Sequence, residues 1–429
     1  MHFLPNFVPL FIKPLRVEKV TASIITIGDE LLIGQTIDTN SAWMAQQLNG
    51  MGIWVQRRVA VGDIKEAILE ALDEESASAD IILITGGLGP TADDITKPTL
   101  LEYFGGTMVQ HEPTLQRLMQ LFESRGLPIL QRNIDQALVP DSCTVLMNHH
   151  GLAPGMWFEK GGKVFVSMPG VPHEMKGIMT DHVLPRLQEQ FDTKAVLHQT
   201  LLTSGMGESF VAEKLLAFEA QLPEHIKLAY LPSYGLLKLR LTAHGEDKVS
   251  TAAELKLRFQ EMEALLKDIA VYDEDISMGE VLGRYLKTKG KTVGTAESCT
   301  GGYIAHSITA VAGSSAYYNG SVVTYSNAMK TKLLGVKEAT LATYGAVSEE
   351  TVREMAAGAL KVLNTDYAIA VSGIMGPDGG TPEKPVGTVW IAAGSADNIV
   401  TVKYRLMYDR ERNIQMTAIY AMNELRKLI

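Results

Sequence analysis

Apolar residues along the chain fall in short blocks closed by glycine. SIITI (23–27) stops at Gly28, and IILIT (81–85) stops at Gly86 and Gly87. Uninterrupted runs of this length suit strands buried on both faces of a parallel sheet. Between them the period changes. Trp43, Met44 and Leu48 share a helical face, with Asn40 as a candidate cap, and Ile64, Ile68 and Leu72 recur every four residues. WVQRRVAV (54–61) alternates loosely, as a strand does. This βαβα rhythm predicts an α/β domain over 21–190, a parallel sheet with helices on its faces. Ligands of such sheets bind beyond the carboxyl ends of the strands. GDE (28–30) and GGLGPTADD (86–94) both lie at such ends.

The pattern from 191 to 275 differs. It reads as a strand (196–203), a helix (208–218), two strands around Pro232–Gly235, and a helix (249–267) with Leu255, Phe259, Met262 and Leu266 on one face. That predicts a small α+β linker domain. A second α/β unit follows over 276–429. TVGTAES (292–298) runs as a strand into CTGG (299–302), and VVTYS (322–326) is a strand before a short helix. Ser348 is placed to cap a helix through Leu363, with Glu349 and Glu350 in its first turn. AIAVSG (368–373) ends in GPDGG, strands follow near 386–393 and 399–406, and a closing helix starts at about Asp409. Residues 1–20 are expected to be a loose extension or the result of an upstream start codon: Pro5, Pro9 and Pro14 break any helix. The basic start and small-residue cleavage site of a signal peptide are missing there.

The 429 residues are 46% hydrophobic, an ordinary globular mix, and no apolar run reaches the ~20 residues of a membrane span. A net charge of −10 argues against a large nucleic-acid footprint. The charge is uneven: 16 basic and 13 acidic residues from 276 onward, 23 and 36 before it. The acidic front suits a metal, and the mildly basic rear is compatible with a phosphorylated ligand. Cys143 and Cys299 make neither a disulfide framework nor a zinc cluster and fit a reducing cytoplasm. His111, His149 and His150 lack metal-ligand spacing.

Two segments carry candidate chemistry. In GGLGPTADD, Gly86, Gly87 and Gly89 allow close backbone approach, and free N–H groups there hold phosphate. Asp93 and Asp94 repel phosphate unless a divalent cation intervenes; Glu30 joins such a site, and Glu174 is a further candidate. This set suits metal-assisted attack on a pyrophosphate. The competing account is a tight loop whose two aspartates favour a helix N-terminus.

In AESCTGG (296–302), a strand delivers a hydroxyl, a thiol and a second hydroxyl before two glycines open a helix. N–H groups of Gly301 or Gly302 are candidate oxyanion donors for acyl transfer. Serine needs a base, and no histidine and carboxylate stand at triad spacing. A lysine with a lowered pKa serves instead, and Lys330 follows the TYSN run (324–327). Tyr325 is a candidate to orient the pair. Each residue also has a structural account: Ser298 or Thr300 as a helix cap, Lys330 as a solvated lysine, Tyr325 as core, GPDGG as a turn. Cys299 is either buried filler or the true nucleophile.

These motifs resemble a known family. TIGDELLIGQTIDTN (26–40), TGGLGPTADDIT (85–96) and MPGVPHEM (168–175) look like the first domain of the CinA (competence/damage-inducible) proteins, which is similar to the molybdopterin-binding MogA/MoaB fold. AESCTGGYIAHSIT (296–309), the run 312–336, GAVSEETV (345–352) and SGIMGPDGGTPEKPVGTVW (372–390) look like the CinA carboxyl-terminal domain. The resemblance implies a metal-dependent ADP-ribose pyrophosphatase in front. It implies a cofactor-free nicotinamide mononucleotide (NMN) amidohydrolase behind, with Ser298 as nucleophile and Lys330 as base. Tyr325 and Thr300 sit in the same motifs, and Gly373 and Gly376 are expected near the ligand. Where the family often carries Gly-Asp-Arg, this chain reads Tyr408-Asp409-Arg410. The middle segment is KH-like in resemblance but has no GxxG clamp, so no RNA binding is expected. The expected protein is a cytoplasmic homodimer acting on small nucleotides, without membrane or nucleic-acid partners. The rival is a scaffold that holds a pterin or nucleotide without turnover and recruits a competence or repair partner.

Overall fold

The computed structural model describes residues 19–91 and 93–429, so the expected 1–20 extension lies almost wholly outside the described residues. The chain divides into two compact units. One runs to Leu197 and includes Ala243–Ala253; the other comprises His198–Thr242 and Glu254–Ile429.

The first unit is built on β1 (Thr21–Ile27), β2 (Trp54–Val61), β3 (Ile81–Thr85), the short pair β4 (Met108–Gln110) and β5 (Leu138–Pro140), β6 (Thr144–Leu146), β7 (Gly155–Lys160) and β8 (Lys163–Met168). The main sheet has the order β2-β1-β3-β8-β7-β6. Its first four strands are parallel, as the apolar runs predict. β7 and β6 extend it antiparallel. The reason is local: Gly161 and Gly162, at φ 61° and 76°, make the two-residue turn that folds β7 back on β8. The β3 run is wholly buried, with Met44 and Leu48 in the core on one face of the sheet and Ile68 and Leu72 in the core on the other. Asp38, not Asn40, caps the helix Thr39–Gly50, its Oδ1 accepting from the Ser41 N–H at 2.9 Å. Asn40 lies inside that helix and donates to the Gly170 carbonyl at 2.7 Å.

The linker segment forms β9 (Ala195–Thr203), β10 (Ile226–Ser233), β11 (Leu236–Gly245) and β12 (Ala270–Tyr272), ordered β10-β11-β9-β12, with helices Glu208–Glu219 and Lys248–Leu265. The last sheet has the order β14-β13-β15-β16-β17, made of β13 (Val293–Glu297), β14 (Tyr318–Val323), β15 (Tyr367–Gly373), β16 (Thr388–Gly394) and β17 (Ile399–Arg405). β14, β13 and β15 are parallel; β16 and β17 are antiparallel. β14 begins earlier than the VVTYS pattern suggests, and its last residues turn into the next helix.

Strand alternation sorts the two faces of this sheet. Val293, Ile369, Val371 and Ile391 join the core with the helices Met278–Lys289 and Arg410–Arg426. Ala296, Ala368, Ala370 and Ala392 face the helix Glu349–Leu363. These small side chains let that helix lie close, and Gly358 within it touches the Leu334 backbone. Glycine to alanine inside a helix normally gains about 1 kcal/mol. Here an added Cβ would meet the Leu334 carbonyl oxygen at 2.0 Å, and backbone cannot yield cheaply. Gly358→Ala is expected to lose about 1–2 kcal/mol net, read by chemical denaturation. Among the described residues no helix is long and apolar enough to cross a membrane.

Candidate functional site

β13 is central, so its carboxyl end is fixed from both sides. The Ser298 N–H donates to the Val371 carbonyl at 3.1 Å, carrying the β13–β15 ladder one residue beyond the strand. Ser298 is buried, as β13 dictates. Lys330 arrives from the helix Asn327–Leu334, which Ser326 caps by accepting from the Met329 N–H. Its side chain is 1% exposed. Nζ lies 2.9 Å from Ser298 Oγ and donates to the Thr324 carbonyl at 2.9 Å. Sequence separation of 32 residues thus becomes direct contact. Burial pulls the Lys330 pKa below the usual lysine value, with only the Cys299 thiol acting the other way. No ion pair to Lys330 is formed among the described residues. A buried amine without a counter-charge favours its neutral form, the form a base requires.

Cys299 packs into the apolar core, and burial pushes its thiol up to about 12. A thiol so placed holds little thiolate near neutrality, which supports the buried-filler account of Cys299 over the nucleophile account. Tyr325 is not core: it is 66% exposed, and its hydroxyl accepts from Arg410 Nη2 at 3.1 Å. The same guanidinium donates to the Gly376 carbonyl at 2.8 Å. Asp409 caps the closing helix by accepting from the Arg412 N–H. Gly373 ends β15 opposite Val389. Tyr325, Arg410 and Gly376 are therefore joined, whereas Ser298 and Lys330 form their own buried pair.

The turn after Ser298 departs from expectation. The Gly301 N–H donates to the Ser298 carbonyl and the Gly302 N–H to Glu297 Oε2, so neither is free for an oxyanion. The Thr300 hydroxyl is engaged, donating to Glu297 Oε2 at 2.7 Å. Among the described residues, the N–H groups of Cys299 and Thr300 donate to no other residue and are the donors of this turn that remain. Glu297 itself was missed by sequence reasoning. The signal was a carboxylate one residue before Ser298 and five before the second glycine.

In the first unit, Glu30, Asp63, Asp93, Asp94 and Glu174 line one cavity of about 380 Å³ with Gly86, Gly87 and Gly89. The glycines are more engaged than a phosphate cradle requires. The Gly86 N–H donates to the Met168 carbonyl, and the Gly89 N–H to Asp94 Oδ1 at 2.7 Å. Asp94 also takes the Thr91 N–H and hydroxyl, so it closes the loop. Glu174 is held by Asn148 at 2.6 Å. The Thr91 hydroxyl holds the Asp93 pKa below the usual carboxylate value. Asp63, another residue the motifs did not flag, is pushed up by burial and by Asp29, Glu30 and Asp93. It lies two residues past the end of β2, beside GDE, so its position at a strand end was the available clue. No three His, Cys, Asp or Glu converge as a ready ligand set among the described residues, and Asp93, Asp94 and Glu30 are not brought together as one. Gln136 adds a buried Oε1 without a partner to the same lining.

Comparison with known proteins accounts for most of the chain. Residues 23–189 match the model described as "Probable molybdopterin binding domain", 198–270 "Damage-inducible protein CinA KH domain", and 275–429 "CinA C-terminal domain". A CinA-like protein of Cytophaga hutchinsonii is 48% identical over 412 residues, covering 95% of this chain and 98% of that protein. One from Flavobacterium psychrophilum is 43% identical over 410 residues, with 95% and 98% covered. A solved structure, the competence/damage inducible protein CihA from Agrobacterium tumefaciens, is 42% identical over 35% of this chain and 94% of its own, at TM-score 0.34.

Proposed function

Because the chain belongs to the CinA family, we propose that its last domain is a serine amidohydrolase that converts nicotinamide mononucleotide to nicotinate mononucleotide and ammonia. The observation that carries this reading is the 2.9 Å contact between Ser298 Oγ and the buried, desolvated Lys330 amine. Ser298 Oγ attacks the carboxamide carbon as Lys330 takes its proton. The Thr324 carbonyl holds the amine in line throughout. Cys299 and Thr300 N–H groups supply the oxyanion donors. The Lys330 ammonium returns its proton to the departing amine, which leaves as ammonia. Water then enters by the same base, and Ser298 is released. Arg410, exposed beside Tyr325, offers a cation to the substrate phosphate.

The test is ammonia release from nicotinamide mononucleotide by purified protein, with and without a chelator. Nucleophile and base are both side chains here, so turnover is expected to survive chelation unchanged. Loss of ammonia release on chelation would count against this scheme.

The first domain reads, on the same proposal, as a divalent-metal pyrophosphatase splitting ADP-ribose into AMP and ribose 5-phosphate. Hard cations take oxygen donors, and the cavity fits in kind: carboxylates, one of them with its pKa raised by burial and then by its acidic neighbours, and the unpartnered Gln136 oxygen. Glu30, Asp63 and Asp93 are the carboxylates that would have to draw together to hold the ion, since Asp94 and Glu174 are committed elsewhere and Asp63 already accepts from the Asp29 N–H. Bound there, it would polarise a pyrophosphate oxygen. A second reading, a nucleotide- or pterin-binding scaffold, is favoured by the molybdopterin-binding description of 23–189 and by the lack of a converged acidic triad among the described residues. Stoichiometric binding without turnover of either substrate is its signature.

A further inference from the structure

Glu297 has no part in the reaction just described, yet it is fully buried and heavily bonded. Its Oε2 accepts from Thr300 Oγ1 at 2.7 Å and from the N–H groups of Gly302 and Ile304 at 3.0 Å. Its Oε1 accepts from the Ala305 N–H at 2.8 Å, with Thr295 and Ser321 hydroxyls at 3.4 Å. The four short bonds come from the turn after Ser298 and the first turn of the helix Tyr303–Thr309.

This is an unusual way to begin a helix. Elsewhere Asp38, Ser277, Ser326, Ser348 and Asp409 each cap the helix they precede. The helix Tyr303–Thr309 has Gly302 at its cap position and no side-chain cap of its own. A carboxylate from the strand does that work instead. Its backbone is locked: Glu297 pairs with Val323 on one side and Val371 on the other. The rigid sheet is thereby tied through one side chain to the turn that presents the nucleophile. Ser298 lies between the anchored strand residue and the atoms it anchors.

The arrangement also disposes of a charge. A carboxylate adjacent to Ser298 in sequence would, if free, pair with the Lys330 amine and hold it protonated. Here the helix N-terminus and three backbone donors take it, and the Lys330 contacts are Ser298 and a carbonyl.

We propose that Glu297 is a positioning residue of the amidohydrolase site: it sets Ser298 and the Cys299 and Thr300 N–H groups in reacting geometry by holding the 300–305 backbone against β13. This rests on the serine amidohydrolase reading. The experiment measures kcat and KM for nicotinamide mononucleotide deamidation, and melting temperature, for wild type, Ser298→Ala, Glu297→Gln and Thr300→Val. Glutamine keeps the volume but turns an NH2 toward N–H donors. It is expected to lower kcat by about 10²-fold, the size of a lost oxyanion contact, with KM within about twofold. Thr300→Val removes one of the four short bonds and should lower kcat by roughly fivefold at unchanged KM, about the 1 kcal/mol of one hydrogen bond. Should Glu297→Gln fail to fold, Thr300→Val decides alone: kcat equal to wild type overturns the proposal. A Glu297→Gln variant with wild-type kcat, or one whose loss falls on KM, also overturns it. An inert wild type overturns the amidohydrolase reading and this inference together, whereas an active wild type matched by Glu297→Gln overturns the inference alone.

Discussion

On the proposed amidohydrolase reading, Ser298→Ala and Lys330→Ala are each expected to reduce ammonia release from nicotinamide mononucleotide by roughly 10³-fold or more, with the double variant no worse than either. A positioned base contributes about 10²–10⁴-fold, and a nucleophile and its base act as one unit, so their losses do not add. Lys330→Arg is expected to fail as fully as alanine. Guanidinium stays charged at every accessible pH and cannot take a proton. Cys299→Ala is the control from inside the same turn. Its thiol, pushed up to about 12 by burial in the core, holds little thiolate to lose, so activity is expected to stay within a few-fold of wild type. Full activity in Ser298→Ala with loss in Cys299→Ala would reverse the two assignments.

Elements with a single strong cause were legible in the sequence. IILIT reads as a buried strand because every residue is apolar, and it is one. Ser348 reads as a cap because two glutamates follow it, and its side chain accepts from the Thr351 N–H. The antiparallel edge of the first sheet was missed because its cause is two glycines, Gly161 and Gly162, between strands that otherwise look parallel. The Asn40 cap was misplaced by two residues because Asp38 competes for the same role and wins by geometry.

The sites divide in the same way. Motif position brought Ser298 and Lys330 together because both follow strands that neighbour each other in one parallel sheet. Motif position alone cannot tell which donors of a turn are free. Gly301 and Gly302 look available in sequence and are taken in space, the first by the Ser298 carbonyl and the second by the buried Glu297 carboxylate of β13. The same failure recurs at Gly89 and Asp94, where a residue read as a metal ligand closes its own loop. In both loops the acidic residue satisfies backbone N–H groups, at the buried turn after Ser298 and at the exposed turn after Gly89 alike. The lesson is directional: carboxylates beside glycine turns should first be tested as partners of that turn.

The second large effect is a pH profile. Only neutral Lys330 accepts the Ser298 proton, so kcat/KM is expected to rise tenfold per pH unit on the acid side and level off above the Lys330 pKa. Burial places that pKa below the ordinary 10.5, so the plateau begins below it too. The groups around the amine set the direction. Ser298 and the Thr324 carbonyl touch it, the neutral Cys299 thiol lies beside it, and the Glu297 charge is held by the next helix. None supplies a counter-charge at contact that would lift the value back. Stability follows with a definite sign. Between the folded pKa and 10.5 the unfolded chain binds the proton and the folded chain does not, so stability rises with pH across that window. Below the folded pKa the full cost of charging a buried amine is present. Lys330→Met, of similar length but without the amine, should lose that part of the pH dependence while losing activity. Denaturant midpoints for wild type and Lys330→Met between about pH 6 and 10 read it directly. Parallel curves for the two proteins, or a wild-type activity limb centred at or above 10.5, would show that Lys330 stays protonated and is not the base.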